Sequence, residues 1–145
     1  MHRFGAKPPD MGEMRRIDLF FVRLKLLIIM SKTFLKGYPC DKYRKEAIIQ
    51  NAQKVAYESV KWEGHLINFY TDNLSGGELD LNQAFHRDHI FHVRVRLLAV
   101  MAKAFVEGNP MGHFRRKSLI ENLNYICDAI TFNLEIDNVK FLKVA

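Results

Sequence analysis

The chain contains only two cysteines, few prolines and no apolar stretch long enough to cross a membrane. Cys40 and Cys127 are too few for a disulfide framework and lack the paired spacing of a zinc site, which favours a reducing environment. The most apolar stretch, "LFFVRLKLLIIM" at 19–30, is twelve residues long and carries two cations, whereas a transmembrane helix needs about 20 apolar residues. The opening "MHRFGAKPPD" has no apolar region typical of a secretion signal. We therefore expect a cytoplasmic protein with no membrane contact.

Several sequence signatures of catalysis and cofactor binding are also missing. The chain has no P-loop, no Gly-x-Gly-x-x-Gly, no Gly-x-Ser-x-Gly and no cysteine–histidine arrangement of catalytic spacing. No cofactor is expected.

The charge of the chain is positive and unevenly distributed. The formal net charge is +6. Residues 1–64 hold 13 Lys/Arg against 7 Asp/Glu, whereas residues 65–145 hold 9 of each. Such a balance suits a polyanionic partner such as nucleic acid.

Turn signals divide the chain into four helices. Helix 1 is expected to start near residue 11 and to stop at Gly37, and helix 2 to run from about 40 to 70. Helix 3 follows the loop "TDNLSGGELD" (71–80) and should end at "EGNP" (107–110), with Pro110 near the first turn of helix 4. Apolar seams stepping by four and three support helix 2 (Ile48, Ala52, Val55, Ser59, Trp62, Leu66, Phe69) and helix 4 (Leu119, Leu123, Ile126, Ile130).

The predicted fold is all-α, an antiparallel up-down-up-down four-helix bundle, because four amphipathic helices are joined by short connections. A single domain of residues 11–133 is expected, since 145 residues with 48% apolar content are enough for one core. Residues 1–10 are interpreted as a flexible arm. Residues 134–145 are interpreted as a tail that could form a small β-hairpin.

The stretch "HRDHIFHVR" (86–94) concentrates three histidines in seven residues, which raises the question of metal binding. On a helix, His86, His89 and His92 spread over about 120° and none has a histidine partner four residues on, so no metal site is predicted. Arg87 and His92 also form an Arg-x4-His, which resembles the signature of helical HEPN ribonucleases. That resemblance implies a phosphate-binding Arg87, a general acid or base at His92 and a polar neighbour in Asp88. A match of this kind is expected by chance in a chain with this many arginines and histidines.

A helical wheel predicts which side of helix 3 faces the core. Ile90, Phe91, Val93, Leu97, Leu98, Val100, Met101, Ala104 and Phe105 are expected to form the apolar arc. On the other side, His89, His92, Arg96 and Lys103 form a strip that could follow a phosphate backbone or simply face solvent. Arg87 and Arg94 fall within or beside the apolar arc, which suggests contact with another subunit or a partner.

The bundle topology predicts a cluster of cations at one end. On helix 1, Lys25, Lys32 and Lys36 lie within about 40° of one another. In an up-down bundle, helices 1 and 3 end where helices 2 and 4 begin. Lys32, Lys36, Lys42, Arg44, Lys45, Lys103, Arg115, Arg116 and Lys117 should therefore gather there. Tyr57 and Trp62, beside the seam of helix 2, could stack on bases but are expected to belong to the core.

Two segments, "LKGYPCDKYRKEAIIQNAQKVAYESVKW" (35–62) and "VRVRLLAVMAKAF" (93–105), carry a family resemblance. Over residues 19–132 the chain resembles the accessory variability proteins of diversity-generating retroelements and related bundles encoded within 23S ribosomal RNA genes. The resemblance implies a basic four-helix bundle that forms pentamers and binds nucleic acid and a reverse transcriptase. Arg94, Arg96 and Lys103 match the pattern best. The N-terminal arm, the "LSGGELD" loop and the tail depart from the shorter family form.

The leading hypothesis is a non-enzymatic, homo-oligomeric bundle that binds RNA and assists a nucleic-acid enzyme such as a reverse transcriptase. Its candidate nucleic-acid contacts are Lys25, Lys32, Lys36, Lys42, Arg44, Lys45, Arg96, Lys103, Arg115, Arg116 and Lys117. The alternatives are a ribonuclease that uses Arg87 and His92, and a purely structural protein-interaction bundle.

Overall fold

Four helices make up most of the chain that the computed structural model describes, which comprises residues 11–37, 41–66 and 81–132. They are α1 (Met11–Leu35), α2 (Lys42–Trp62), α3 (Leu81–Val106) and α4 (His113–Ala129). The all-α fold predicted from the sequence is confirmed. The predicted arm, the hairpin tail and the whole 71–80 loop lie outside the described residues.

The helix boundaries follow the predicted turn signals with two differences. Gly37 and Gly108 have φ of +85° and +96°, a conformation that favours glycine, and they lie two residues beyond the ends of α1 and α3. α2 ends at Trp62 rather than near 70, because Gly64 has φ +94° and turns the chain away. α4 begins at His113 with Gly112 as its N-cap, so Pro110 precedes the helix.

Side-chain bonds between the helices establish the antiparallel arrangement. Asn51 on α2 donates its Nδ2 to the Arg23 carbonyl of α1 at 2.7 Å, and Asn122 on α4 donates to the Arg94 carbonyl of α3 at 2.7 Å. The Phe34 and Phe105 rings stack at 6.2 Å, which places the ends of α1 and α3 together. The bundle is therefore up-down-up-down, as predicted.

The core contains the predicted apolar seams of α2 and α4. Six positions of the α2 seam, from Ile48 to Leu66, are buried, while Phe69 lies outside the described residues. On α4, Leu119, Leu123 and Ile126 are buried and Ile130 is partly buried. From α1, Phe20, Leu24, Leu27 and Ile28 pack against them. No helix in the described ranges has both the length and the apolar character that crossing a bilayer requires.

The predicted face of α3 is wrong in part: Phe91, Leu98 and Phe105 are buried as predicted, but other positions are not. Val93, Leu97 and Val100 are exposed, with Val100 at 62%, whereas His92, expected to face outward, is 2% exposed. The buried stripe instead contains Ala84, Asp88, Phe91, His92, Val95, Leu98, Ala99, Ala102, Phe105 and Val106. The helix can bury Asp88 and His92 because α2 and the turn after it provide hydrogen-bond partners for both. The three apolar residues are thereby turned to the surface.

Candidate nucleic-acid interface

Nine cationic residues lie at the end of the bundle where α1 and α3 finish and α2 and α4 start. The stacked Phe34 and Phe105 rings fix two of these helix ends. Arg116 places the start of α4 beside these two helix ends, since its Nη2 donates to the Leu35 carbonyl at 2.7 Å. We call this end the basic pole, defined by Lys32, Lys36, Lys42, Arg44, Lys45, Lys103, Arg115, Arg116 and Lys117.

Acidic residues are few in the two segments that carry these cations. Residues 30–46 and 103–117 contain the nine cations but only three acids, Asp41, Glu46 and Glu107. Asp41 serves as the N-cap of α2, where its Oδ1 accepts from the Arg44 backbone N–H at 2.8 Å. Glu107 lies 4.0 Å from Lys103. The basic pole consequently has a large excess of positive charge.

Arg116 ties two helices of the basic pole together. Besides bonding the Leu35 carbonyl, its Nη1 lies 4.0 Å from the Met111 sulfur. Its side chain is partly buried. Arg116 therefore holds the start of α4 against the end of α1 and is less available to a ligand than its neighbours.

Two exposed aromatic rings lie among the cations of the basic pole. Tyr43 is 80% exposed in "KYRK", and Phe114 is 83% exposed in "HFRRK". Sequence reasoning missed both, because it considered only Tyr57 and Trp62 as stacking residues and expected those two in the core. Trp62 is buried as expected, but Tyr57 is 72% exposed. The available signal was an aromatic residue placed between cations at a helix start, before the apolar seam begins.

Two predicted nucleic-acid contacts lie away from the basic pole. Lys25 is midway along α1, with its Nζ 5.3 Å from the centre of the Phe132 ring. Arg96 is partly buried and its Nη1 lies 2.8 Å from Glu63 Oε1. The strip of His89, His92, Arg96 and Lys103 is therefore not a continuous solvent-facing row, since His92 is buried and Arg96 is engaged within the chain.

A buried polar network joins α2 to α3. The Ser59 hydroxyl lies 2.9 Å from His92 Nδ1 and accepts from Arg96 Nη1 at 3.3 Å. One turn earlier on α3, Asp88 accepts from the Gly64 backbone N–H at 2.6 Å, and its other oxygen lies 3.6 Å from His92 Nε2. At the rim, Glu63 accepts from His89 Nδ1 at 2.7 Å as well as pairing with Arg96.

Burial and hydrogen bonding shift the pKa values in this network in different directions. Burial lowers the pKa of His92 to about 4 and is also the main reason that the pKa of Asp88 is raised. For Glu63, burial acts to raise the pKa, but the hydrogen bonds and charges of His89 and Arg96 outweigh it and lower the pKa. His92 is therefore uncharged at neutral pH.

The two residues of the ribonuclease-like motif do not lie together on the surface. Arg87 is exposed, whereas His92 is 2% exposed and contacts Ser59, which is fully buried. Ser59, His92 and Asp88 follow one another like a catalytic triad, but a substrate has no access to them without movement of the helices.

Arg94, predicted to contact a partner together with Arg87, has neighbours inside the chain. Its guanidinium carbon lies 4.5 Å from the centre of the Tyr125 ring, a cation–π contact between α3 and α4. Its Nη1 is also 3.5 Å from Asn122 Oδ1. Only Arg87 of this pair is fully exposed.

The described residues contain no group of three or more histidine, cysteine, aspartate or glutamate side chains arranged to hold a metal ion. No protein-family model, curated protein or solved structure matches the chain. Function therefore has to be inferred from the geometry itself.

Proposed function

We propose that this protein is a non-enzymatic RNA-binding bundle that contacts the nucleic-acid backbone through the basic pole. The observation that carries the proposal is the combination of nine clustered cations with the exposed rings of Tyr43 and Phe114. Lysine and arginine side chains attract phosphates regardless of sequence. Exposed aromatic rings stack on unpaired bases. Single-stranded RNA offers both features together.

Salt dependence tests this binding mode. The affinity for a labelled single-stranded oligonucleotide, measured by fluorescence anisotropy, should fall steeply as salt rises. About five phosphate contacts predict a slope near −3.5 for log affinity against log salt. A flat dependence would contradict the proposal. The RNA should be recovered at full length, and cleavage that His92→Ala abolishes would favour the ribonuclease alternative instead.

We further propose that the protein acts as a homo-oligomer. α1 exposes Val22, Leu26 and Ile29 at heptad spacing, and α3 exposes Val93, Leu97 and Val100. Contact between the α1 face of one copy and the α3 face of a neighbouring copy would be heterologous and could close into a ring. Five subunits, a cytoplasmic location and a reverse-transcriptase partner follow only from the sequence and its resemblance, and they stay predictions.

Sedimentation of the purified protein tests self-association. The wild type should sediment as an oligomer, and Val22→Asp combined with Leu26→Asp should yield monomers, because two charges would be buried unpaired in the contact. Asn124→Asp, on the exposed side of α4, is the matched control and should leave the oligomer intact. A monomeric wild type at micromolar concentration would refute this part of the proposal.

A further inference from the structure

A groove of about 370 Å³ runs between α1 and α2, away from the basic pole. Phe20 forms part of its lining and is buried, while Leu19 and Tyr57 border it and are 46% and 72% exposed. Tyr57 follows Tyr43 by fourteen residues on α2, which corresponds to about 21 Å along the helix. The groove is therefore a separate surface from the basic pole.

The two walls of the groove are held together at one end. Buried Asn51 on α2 donates its amide to the Arg23 carbonyl of α1 at 2.7 Å. Arg23 also lines the groove. This bond fixes the spacing of the two helices beside Arg23. The groove is therefore part of the way α1 and α2 pack together.

The groove has an excess of positive charge. Arg16, Arg23 and Lys54 line it, and within the described residues none of the three forms an ion pair. Its acidic residue, Glu58, is partly engaged, because its Oε1 accepts from the Trp62 indole N–H at 3.0 Å. An anionic ligand would neutralise these cations, for which the described residues provide no ion pair.

We propose that this groove binds a nucleobase carrying a phosphate group. The Tyr57 ring provides a stacking surface for a planar base. The guanidinium groups of Arg16 and Arg23 suit a phosphate, which they can contact with two hydrogen bonds each. The volume lies within the range of sites for small organic ligands.

The polar residues of the groove favour particular bases. Glu58 keeps one carboxylate oxygen beyond the bond to Trp62, and Gln53 adds an amide that can donate and accept. A carboxylate accepts hydrogen bonds from an exocyclic amino group, which cytosine has and uracil lacks. The groove should therefore prefer cytidine monophosphate to uridine monophosphate.

The fluorescence of Trp62 should report ligand binding in the groove, because Trp62 is the single tryptophan of the chain and contacts Glu58. Adding cytidine monophosphate should change its fluorescence in a saturable way, with uridine monophosphate binding more weakly. Tyr57→Ala should weaken binding about tenfold through the lost stacking. Arg16→Gln with Arg23→Gln should weaken it at least about tenfold through the lost phosphate contacts. Tyr57→Phe keeps the ring and should retain most of the affinity.

Gln50→Ala is the control, since Gln50 is an exposed residue of the same helix outside both the groove and the basic pole, and it should bind cytidine monophosphate normally. A 5′-phosphorylated oligocytidine distinguishes the two sources of this chemistry. If the ligand is a residue of RNA, Tyr57→Ala weakens the oligomer as well as the mononucleotide. If it is a free nucleotide, only mononucleotide binding is weakened.

Several outcomes would overturn the assignment. They are no saturable response to either mononucleotide at millimolar concentration, binding that Tyr57→Ala and the double arginine variant leave unchanged, or binding of a fatty acid such as laurate in place of both nucleotides. The test does not depend on the basic pole. Variants that neutralise the pole should bind cytidine monophosphate like the wild type.

Discussion

Between pH 7 and pH 4, the wild-type protein is expected to lose about 3 kcal/mol more of its unfolding free energy than the variant His92→Phe. The unfolded chain takes up a proton on this histidine near pH 6.5, whereas the folded protein resists protonation until about pH 4. The unfolded state thus binds more protons in this window. The contribution of the uncharged His92 to the unfolding free energy is fully present above about pH 6.5, and it is lost as the pH falls towards 4.

Phenylalanine is a suitable replacement because His92 already has aromatic neighbours. Its ring is stacked 6.1 Å from Phe20 and lies edge-on to Phe91 at 5.0 Å. The variant loses the contact with Ser59 Oγ, but Ser59 can still donate to the backbone carbonyl of residue 92, now 3.3 Å away. We expect it to fold with a modest loss at pH 7.

Urea unfolding followed by circular dichroism at several pH values measures this difference. The raised pKa of Asp88 acts in the opposite direction, because the folded protein gains a proton there more readily as the pH falls. Asp88 is present in both proteins, so this opposing effect is expected in both and the difference between them reports mainly on His92. His86→Phe, an exposed histidine on the same helix, is the control and should keep the pH dependence of the wild type. Parallel pH profiles for the wild type and His92→Phe would show that His92 is not a buried neutral group.

Neutralising three cations of the basic pole is expected to weaken RNA binding about 100-fold at about 50 mM salt. The changes are Lys42→Gln, Lys45→Gln and Lys117→Gln, all at exposed positions. Removing three phosphate contacts should also reduce the salt slope by about 2. Arg116 is left in place because its bond to the Leu35 carbonyl supports the bundle, and its loss would mix stability with binding.

A matched variant separates local contacts from total charge. Arg15→Gln, Lys61→Gln and Arg87→Gln remove the same charge from exposed positions in the half of the bundle away from the pole. This control should keep most of the affinity and nearly the full salt slope. Equal losses in the two triple variants would mean that RNA responds to net charge alone.

The sequence was sufficient to predict the helices and the basic pole. The helices depend on local turn signals, and the pole depends on the topology of the bundle. Gly37 and Gly108 mark their turns, and an antiparallel bundle necessarily brings alternating helix ends together. The end of α2 was predicted too late, since the apolar seam continues to Leu66 although Gly64 has already turned the chain.

The rotation of α3 could not be predicted from its own residues. A helical wheel places apolar residues inside, but Asp88 and His92 are buried because Ser59 and the Gly64 N–H lie opposite them. Those partners come from α2 and the turn after it, so the pattern of apolar and polar residues within α3 does not reveal them. The groove beside Tyr57 depends in the same way on how α1 and α2 pack.

The most direct test of the central claim is to map where RNA touches the bundle. A photoreactive p-benzoylphenylalanine introduced at Phe114, in the basic pole, should cross-link strongly to bound single-stranded RNA on irradiation. The same group at Asn124, on the exposed side of α4 and further from the pole, should cross-link weakly. Strong cross-linking at 124 with none at 114 would contradict the account.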